Sequence, residues 1–343
     1  MQRGATLKDV AKLAGVSVAT VSRVINGHAN VSAETRASVE RAILKLNYSP
    51  NTIARSLVTG RTGVISLIIV QEDPIVPTTW FYELPIVQSI YDYLKGQDWE
   101  LQIAMCSYRE FQEPAFLPRH FNKRTVDGVL ILSAWMVERH IVSELKERNL
   151  PHVIIGAHDP DYESLCIEYD NEGAIRSLVE HLWNSGHQIF GLIGGAPNQL
   201  HMHGRIQGFA SALEEFGLPT WNRLTKYGDW SIESGYELMQ EFLAREPNPT
   251  AVVCGNDYIA VGAMRAITEQ GLRIPEDIAV VGFDDTVVSQ IISPTLTTVR
   301  LPLAQAGRLA AERLVRELDK PSPDNRRVVL PCEIVIRDSS KSS

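Results

Sequence analysis

The sequence is short of the features that define several protein classes. Its four cysteines, Cys106, Cys166, Cys254 and Cys332, lie far apart with no Cys-x-x-Cys pair. That excludes a disulfide framework and a zinc ribbon, and fits a reducing cytoplasm. The longest apolar run, Val64 to Val70, falls well short of the ~20 residues that span a bilayer, and Met1 to Val10 lacks an apolar signal core. A cytoplasmic chain without a membrane partner is therefore expected. There is no phosphate-binding Gly-x-x-x-x-Gly-Lys loop and no Gly-x-Ser-x-Gly elbow, and Gly191 to Gly195 breaks the dinucleotide pattern, so neither a cofactor nor a catalytic nucleophile is expected. What is plentiful is core material. The 343 residues are 44% hydrophobic and 22% charged, which at about 100–200 residues per domain suggests two or three domains.

The net charge of −8 conceals an asymmetry. Residues 1–61 hold nine Lys and Arg against three acidic residues, a charge of +6, leaving 24 basic and 38 acidic residues, −14, for the remainder. A basic head on an acidic body implies that the head meets a polyanion.

Within the head the pattern is helical. Thr6 can cap a helix from Leu7 to Ala14, with Asp9 returning a bond to the cap and Gly15 supplying the turn that ends it. Ser17 caps a second helix through about Asn26, stopped by Gly27, and Ser32 caps a third from Ala33 to about Leu46. Val39, Ile43, Leu44 and Leu46 can close a three-helix core. Small Ala11, turn-forming Gly15 and apolar Val21 suit two helices crossing on a three-residue turn, the helix-turn-helix arrangement. The bland reading is a structural three-helix domain. In the functional one the second helix enters the major groove, and Val18, Ala19, Ser22 and Arg23 read base edges: the first two against thymine methyls, Arg23 bidentate to guanine. Thr6, Ser17, Thr20, Asn26 and Tyr48 are assigned to phosphates. Asn51 to Val58 can form about two helical turns, too short for stability alone in water.

Here the residues carry a resemblance. "TLKDVAKLAGVSVATVSRVING", "VSAETRASVERAILKLNYSPNTIARSL", "GNDYIAVGAMRAITEQGLRIPEDIAVVGFDD" and "SPTLTTVR" resemble, over essentially the whole chain, the lactose and purine repressor family of transcription regulators. The resemblance implies that Asn51 to Val58 is a hinge helix that pairs with its dimer mate in the minor groove. Leu57 would then wedge between base pairs, with Asn51, Arg55 and Ser56 nearby.

From about residue 62, strands and helices alternate. Val64 to Val70, Leu101 to Met105, Gly128 to Leu132, Pro151 to Ile155, Ile189 to Ile193, Ala251 to Cys254 and Ile278 to Val281 read as strands, with an amphipathic stretch from Phe81 to Lys95. Repeated βα units of this length mean doubly wound parallel sheets in two lobes. The whole is thus a small all-α helix-turn-helix head, residues 1–49, a hinge and linker, 50–61, and a two-lobed α/β body, 62–338. By resemblance the body is periplasmic-binding-protein-like, with an N-lobe of about 62–161 and 291–320 and a C-lobe of about 162–290 and 321–338.

Ligands in such sheets sit beyond the carboxyl ends of strands. There lie Arg205, Trp230, Asn256 and Asp284, a set that suits neighbouring hydroxyls and the apolar face of a sugar ring. In the family, positions matching these four line an effector pocket, with Trp80 and Phe81 at the N-lobe's contribution. Trp135 is either a further cleft aromatic or a loop packing residue. His201 and His203 suit a pocket rim, and without a third ligand they do not make a metal site. Sugar-binding relatives often carry an aspartate where this chain has Gly156, and the loop Gln71 to Thr79, with Pro74 and Pro77, is also unusual.

The expectation is a sequence-specific, DNA-binding repressor whose grip on a pseudo-palindromic operator is set by a small effector, most simply a sugar, with release by inducer as the default. The alternatives are a co-repressed regulator answering to a purine or other metabolite, a sugar-binding protein without DNA contact, and an enzyme using Asp257, Asp284 and Asp285 as acid–base groups or magnesium ligands. The terminal "RDSSKSS" has no leucine heptad tail, so a homodimer is expected rather than a tetramer. Leu57→Ala should weaken operator binding and leave effector binding intact; electrophoretic retardation beside calorimetry checks this, and unchanged operator affinity would discredit the hinge assignment.

Overall fold

Capping decides where the head's first helix begins. In a computed structural model, which describes residues 5–25, 31–46, 48, 61–72, 80–121, 125–218, 225–245, 247–320 and 326–341, helix α1 spans Leu7–Ala14 behind a capping box. The Thr6 hydroxyl accepts from the Asp9 amide, and the Asp9 carboxylate accepts from the Thr6 amide at 2.8 Å. Gly15 closes it at φ 70°, donating its N–H to the Ala11 carbonyl. Helix α2, Val18–Ile25, begins where the Ser17 hydroxyl accepts from the Thr20 amide at 3.1 Å, and α3 covers Ala33–Leu46.

Val10, Ala11, Val21, Val24, Val39 and Ala42 form the head's core. One expectation fails here. Leu44 is 80% exposed, because at helical spacing Val39 and Ala42 take the inward face. Tyr48, expected at a phosphate, packs into the same core and is 9% exposed. Asn26 and the hinge positions Asn51, Arg55, Ser56 and Leu57 lie outside the described residues.

The chain divides into two compact units, Met1–Gly63 and Val64–Ser343. In the second unit, β1 (Val64–Gln71), β2 (Glu100–Ser107), β3 (Gly128–Leu132), β4 (His152–Ile155) and β5 (Leu165–Tyr169) belong to a six-stranded parallel sheet. The next strands, β6 (Phe190–Gly194), β7 (Thr225–Tyr227), β8 (Ala251–Cys254) and β9 (Ala279–Val281), make a four-stranded parallel sheet in the order β7-β6-β8-β9. Strands β10 (Thr298–Arg300) and β12 (Glu333–Val335) pair antiparallel, and β11 (Arg327–Leu330) returns to the first sheet, whose order is β11-β5-β4-β3-β1-β2. Both sheets are apolar on every face of their central strands, as βα crossovers require.

The lobe boundaries therefore differ from the expected partition. Residues 162–290 and 321–338 were assigned to the C-lobe, yet Leu165–Tyr169 and Arg327–Leu330 pair with each other and extend the first sheet. A chain that crosses between lobes three times contributes strands to a sheet that its order in sequence does not reveal. The crossings are Tyr169 to Asn171, the stretch holding β10, and that holding β12.

Five helices frame the cleft between the sheets: α4 (Trp80–Lys95), α5 (Asn171–Asn184), α6 (Leu200–Glu215), α7 (Ile232–Leu243) and α8 (Asp257–Glu269). Phe242 of α7 is fully buried, its ring against Gly191 of β6. Phe242→Ala should cost about 3–5 kcal/mol through lost burial and a cavity, read as a fall in denaturant midpoint at unchanged slope.

Candidate functional site

The carboxyl ends of both parallel sheets open on one cavity of about 130 Å³. From the first sheet come Gln71 at the end of β1, Ser133 after β3, Gly156 after β4 and Tyr169 at the end of β5; from the second come Trp230 after β7, Asn256 after β8 and Asp284 after β9. This is where loops at strand ends place polar groups around a ligand.

Arg205, on α6, is 4% exposed and holds the second lobe's wall together. Its Nε donates to Asn171 Oδ1 at 3.0 Å, Nη1 donates to the Gly255 carbonyl, and the guanidinium lies 3.7 Å from the centroid of the Phe283 ring. Nη2 stands 3.7 Å from Asp284 Oδ1, a loose ion pair. Burial pushes the Asp284 carboxyl up to about 7, with Arg205 pulling the other way and Asp257 adding to the rise. Burial also holds the His201 imidazole well below its usual range, helped by the charges of Arg205 and His203.

Trp230 and Asp284 both take left-handed backbone angles, φ 70° and 103°, which non-glycine residues adopt only where the surroundings impose them. Asn256 supplies part of that imposition: its Oδ1 caps α8 by accepting from the Ile259 amide at 2.8 Å, and its Nδ2 donates to the Trp230 carbonyl at 3.3 Å. Among the described residues, three buried polar atoms of the cavity's lining lack a hydrogen-bond partner: the donor Trp230 Nε1 on the second lobe's wall, and Gln71 Oε1 and Tyr169 Oη on the first's. Such atoms cost about 1–3 kcal/mol each unless something meets them.

Five of the seven expected effector residues, Trp135, Arg205, Trp230, Asn256 and Asp284, line the cavity, and Trp135 also stacks on Tyr108 with centroids 5.1 Å apart. Trp135 is thus a cleft aromatic and a packing residue at once. Phe81 is not a lining residue: it is 52% exposed, with Tyr258 as its aromatic neighbour at 6.3 Å. On α4 the inward positions fall one and two residues later, at Tyr82 and Glu83. Trp80 begins α4, and its side chain lies outside the described residues. His201 lines the cavity while His203, two residues on, points to water. Among the described residues no three His, Cys, Asp or Glu side chains converge as metal ligands. Asp257 and Asp285 are spent on structure, Asp257 accepting from Thr286 and Thr298 and Asp285 paired with Arg300 and Arg337.

The N-lobe wall was read only in part from sequence. Gln71 is 3% exposed and its Nε2 donates to both carboxylate oxygens of Glu83, at 3.1 and 3.2 Å. At Gly156, φ is 80°, and a Cβ would meet Tyr82 Oη at 2.9 Å and the Ser133 carbonyl at 3.0 Å. The space an aspartate side chain would need there is held by the Tyr82 hydroxyl.

On the head, Val18, Ala19 and Arg23 of α2 face water while Val21 and Val24 are buried, and Ser22 is half-buried. Ser17 and Thr20 share a hydrogen bond at 2.9 Å at the start of the same helix, and Thr6 sits exposed in its capping box. The expected base-reading residues thus share one exposed face.

Residues 6–51 match the model of the lacI family of bacterial regulatory proteins, and residues 179–340 that of a periplasmic binding protein-like domain. The chain is 32% identical to catabolite control protein A of Priestia megaterium across 98% of its own length and 99% of that protein's. It belongs to the lacI family. This family member is accordingly a DNA-binding repressor of transcription and not an enzyme. It is 34% identical, at the same coverage, to both the HTH-type transcriptional repressor PurR of Pasteurella multocida and the HTH-type transcriptional regulator CelR of Thermobifida fusca. Among solved structures, a lac repressor dimer bound to operator and the anti-inducer ONPF superposes with a TM-score of 0.86 at 29% identity, over 99% of this chain and all of that one. A CelR–cellobiose complex gives 0.72 at 31% identity, over 98% and 99%.

The Asp284 carboxyl makes one property of this lacI-family body testable. A group whose pKa rises on folding from 3.8 to about 7 binds its proton more tightly in the folded state. Its contribution to stability is therefore greatest below about pH 4 and declines as pH climbs towards about 7. Asp257, pushed up to about 6 by burial, acts in the same direction over the lower part of that window. Asp284→Asn should flatten the decline between about pH 5 and 7 in melting temperatures recorded across that range.

Proposed function

We propose that this repressor binds a pseudo-palindromic operator as a homodimer in the cytoplasm, and that a sugar bound between the lobes controls its grip. The observation that carries the ligand reading is the unmet pair on opposite walls, Trp230 Nε1 and Gln71 Oε1. A hydroxyl both donates and accepts, so one polyol can satisfy both atoms and span the cleft while the Trp230 face covers its apolar side. Because the two atoms belong to different lobes, a ligand meeting both favours one arrangement of the lobes over others, which is the differential contact that coupling requires. The cellobiose held by CelR is consistent with a sugar class.

For the head, we assign base readout to Val18, Ala19, Ser22 and Arg23 and phosphate contacts to Thr6, Ser17 and Thr20, with Asn26, Asn51, Arg55, Ser56 and Leu57 completing the interface. The exposed face of α2 supports the first group. A C₂ dimer would present two such faces to the two half-sites. On the body, Ile103 and Met105 of the edge strand β2 stand 46% and 41% exposed, apolar surface of the kind a second copy covers.

Retardation of genomic fragments, with and without candidate sugars, tests the whole reading: failure to retain any fragment would remove it. Arg205→Ala should keep DNA retention but weaken the sugar by tens of fold, because Asn171, Gly255 and Asp284 lose the group that positions them at the cavity wall, read by calorimetry. Full ligand affinity in that variant would displace Arg205 from the site.

A further inference from the structure

The cavity wall carries an unbalanced charge. Three carboxyl groups line it: Glu72 directly after β1, Glu83 in the first turn of α4, and Asp284. Among the described lining residues Arg205 is the one Lys or Arg, and burial disfavours a charge on His201. Arg205 has little left to offer a ligand anion. Nε and Nη1 are engaged by Asn171 and Gly255, Nη2 faces Asp284, and Phe283 covers one side of the guanidinium. Glu83 is 5% exposed and accepts from Gln71 Nε2 at both oxygens. Glu72 is half-buried at the opposite edge of the same wall. Gln199 donates to it at 3.4 Å, and the carboxylate of Asp229 lies near enough to repel its charge.

In a partly desolvated cleft, like charges repel and opposite charges attract more strongly than in bulk water. A phosphate or carboxylate on the ligand would meet this wall unpaired, an element that selects against such ligands as firmly as hydrogen bonds select for hydroxyls. An ammonium group would meet Glu72 in charge-assisted contact.

We propose that the effector is a polyhydroxylated molecule without an anionic group, that a protonated amine is bound in preference to its neutral parent, and that Glu72 sets this preference. The proposal rests on the ligand reading above and can fail without it.

The test is calorimetric titration of the full chain at neutral pH with two matched series: glucose, glucosamine, glucuronate and glucose 6-phosphate, and the corresponding galactose derivatives. In the series that binds, the amine should bind at least about threefold tighter than the neutral sugar, and each anion at least about tenfold weaker. In Glu72→Gln the amine's advantage over its neutral parent should shrink to within about twofold. An anion that binds as well as its neutral parent, an amine with no advantage, or an amine preference that survives Glu72→Gln would overturn the proposal and leave the sugar reading standing. Silence from both series would remove the sugar reading and the proposal together.

Discussion

A guanidinium taken out of water must be satisfied by its neighbours, and the second lobe's binding wall is organised by that requirement. Arg205 draws together the start of α5 through Asn171, the end of β8 through Gly255, and the end of β9 through Phe283 and Asp284. Each is the first or last residue of an element or adjacent to one, so meeting the charge fixes where three strand and helix ends sit. Losing one partner of such a set exposes the full desolvation cost of the charge, which exceeds the worth of any single hydrogen bond. Because Asp284 stands at 3.7 Å rather than in close contact, the charge is met mainly by neutral dipoles and an aromatic face. Its carboxyl is left close to its titration point.

The same wall explains how a small ligand can bias a large body. The two sheets aim their carboxyl ends at each other across the cavity, and the chain passes between lobes three times. Two of those passages, β10 and β12, are joined by antiparallel hydrogen bonds from Thr298 to Arg300. The third is the single residue Asp170, whose carboxylate caps α5 by accepting from the Gly173 amide at 2.9 Å. Short, mutually braced passages restrict the lobes to few relative arrangements. The cross-lobe bond from the Leu200 amide to the Ala134 carbonyl, 2.9 Å, belongs to the arrangement described. A ligand that adds contacts to both walls changes the weight of that arrangement by no more than those contacts are worth.

Much of this was legible in the residues. Thr6, Asp9 and Gly15 specify both ends of α1 because capping is a local matter, decided within four residues. Gly128–Leu132 and Ala251–Cys254 are readable as strands because central parallel strands are continuously apolar. Phe81 faces water because on α4 a one-residue rotation about the axis separates it from Tyr82 at the cavity, and the apolar pattern of Trp80, Phe81, Tyr82 and Leu84 does not fix that phase. The burial of the Tyr48 ring follows from a core too small to close with valines and alanines alone. Leu165–Tyr169 escaped as a strand: Leu-Cys-Ile-Glu-Tyr is short and interrupted by a charge, and Glu168 is accommodated only by its pairing with Arg327 on the neighbouring β11. The signal that finds Gln71 and Tyr169 is the rule already used for Asp284, the last residue of a parallel strand, applied to the first sheet as well as to the second.

Gly156 shows how one exchange redistributes the chemistry of a wall. With an aspartate at this position, strand β4 itself would present a carboxylate to the cleft. The left-handed backbone angle and the Tyr82 hydroxyl, 2.9 Å from where a Cβ would sit, take that option away. The wall's charge is carried instead by Glu83, one residue beyond Tyr82 on α4, and by Glu72, one residue beyond Gln71 on β1. Tyrosine in place of a carboxylate keeps a donor and acceptor in the strand's reach while burial keeps the phenol protonated. The acid is displaced toward the pocket's edge at Glu72, where burial first and the charge of Asp229 second push its carboxyl above the usual range. A ligand that donates hydrogen bonds or brings positive charge to that edge is favoured there. One exchange in β4 thus moves the acid from the strand's end to the neighbouring elements without removing it from the wall.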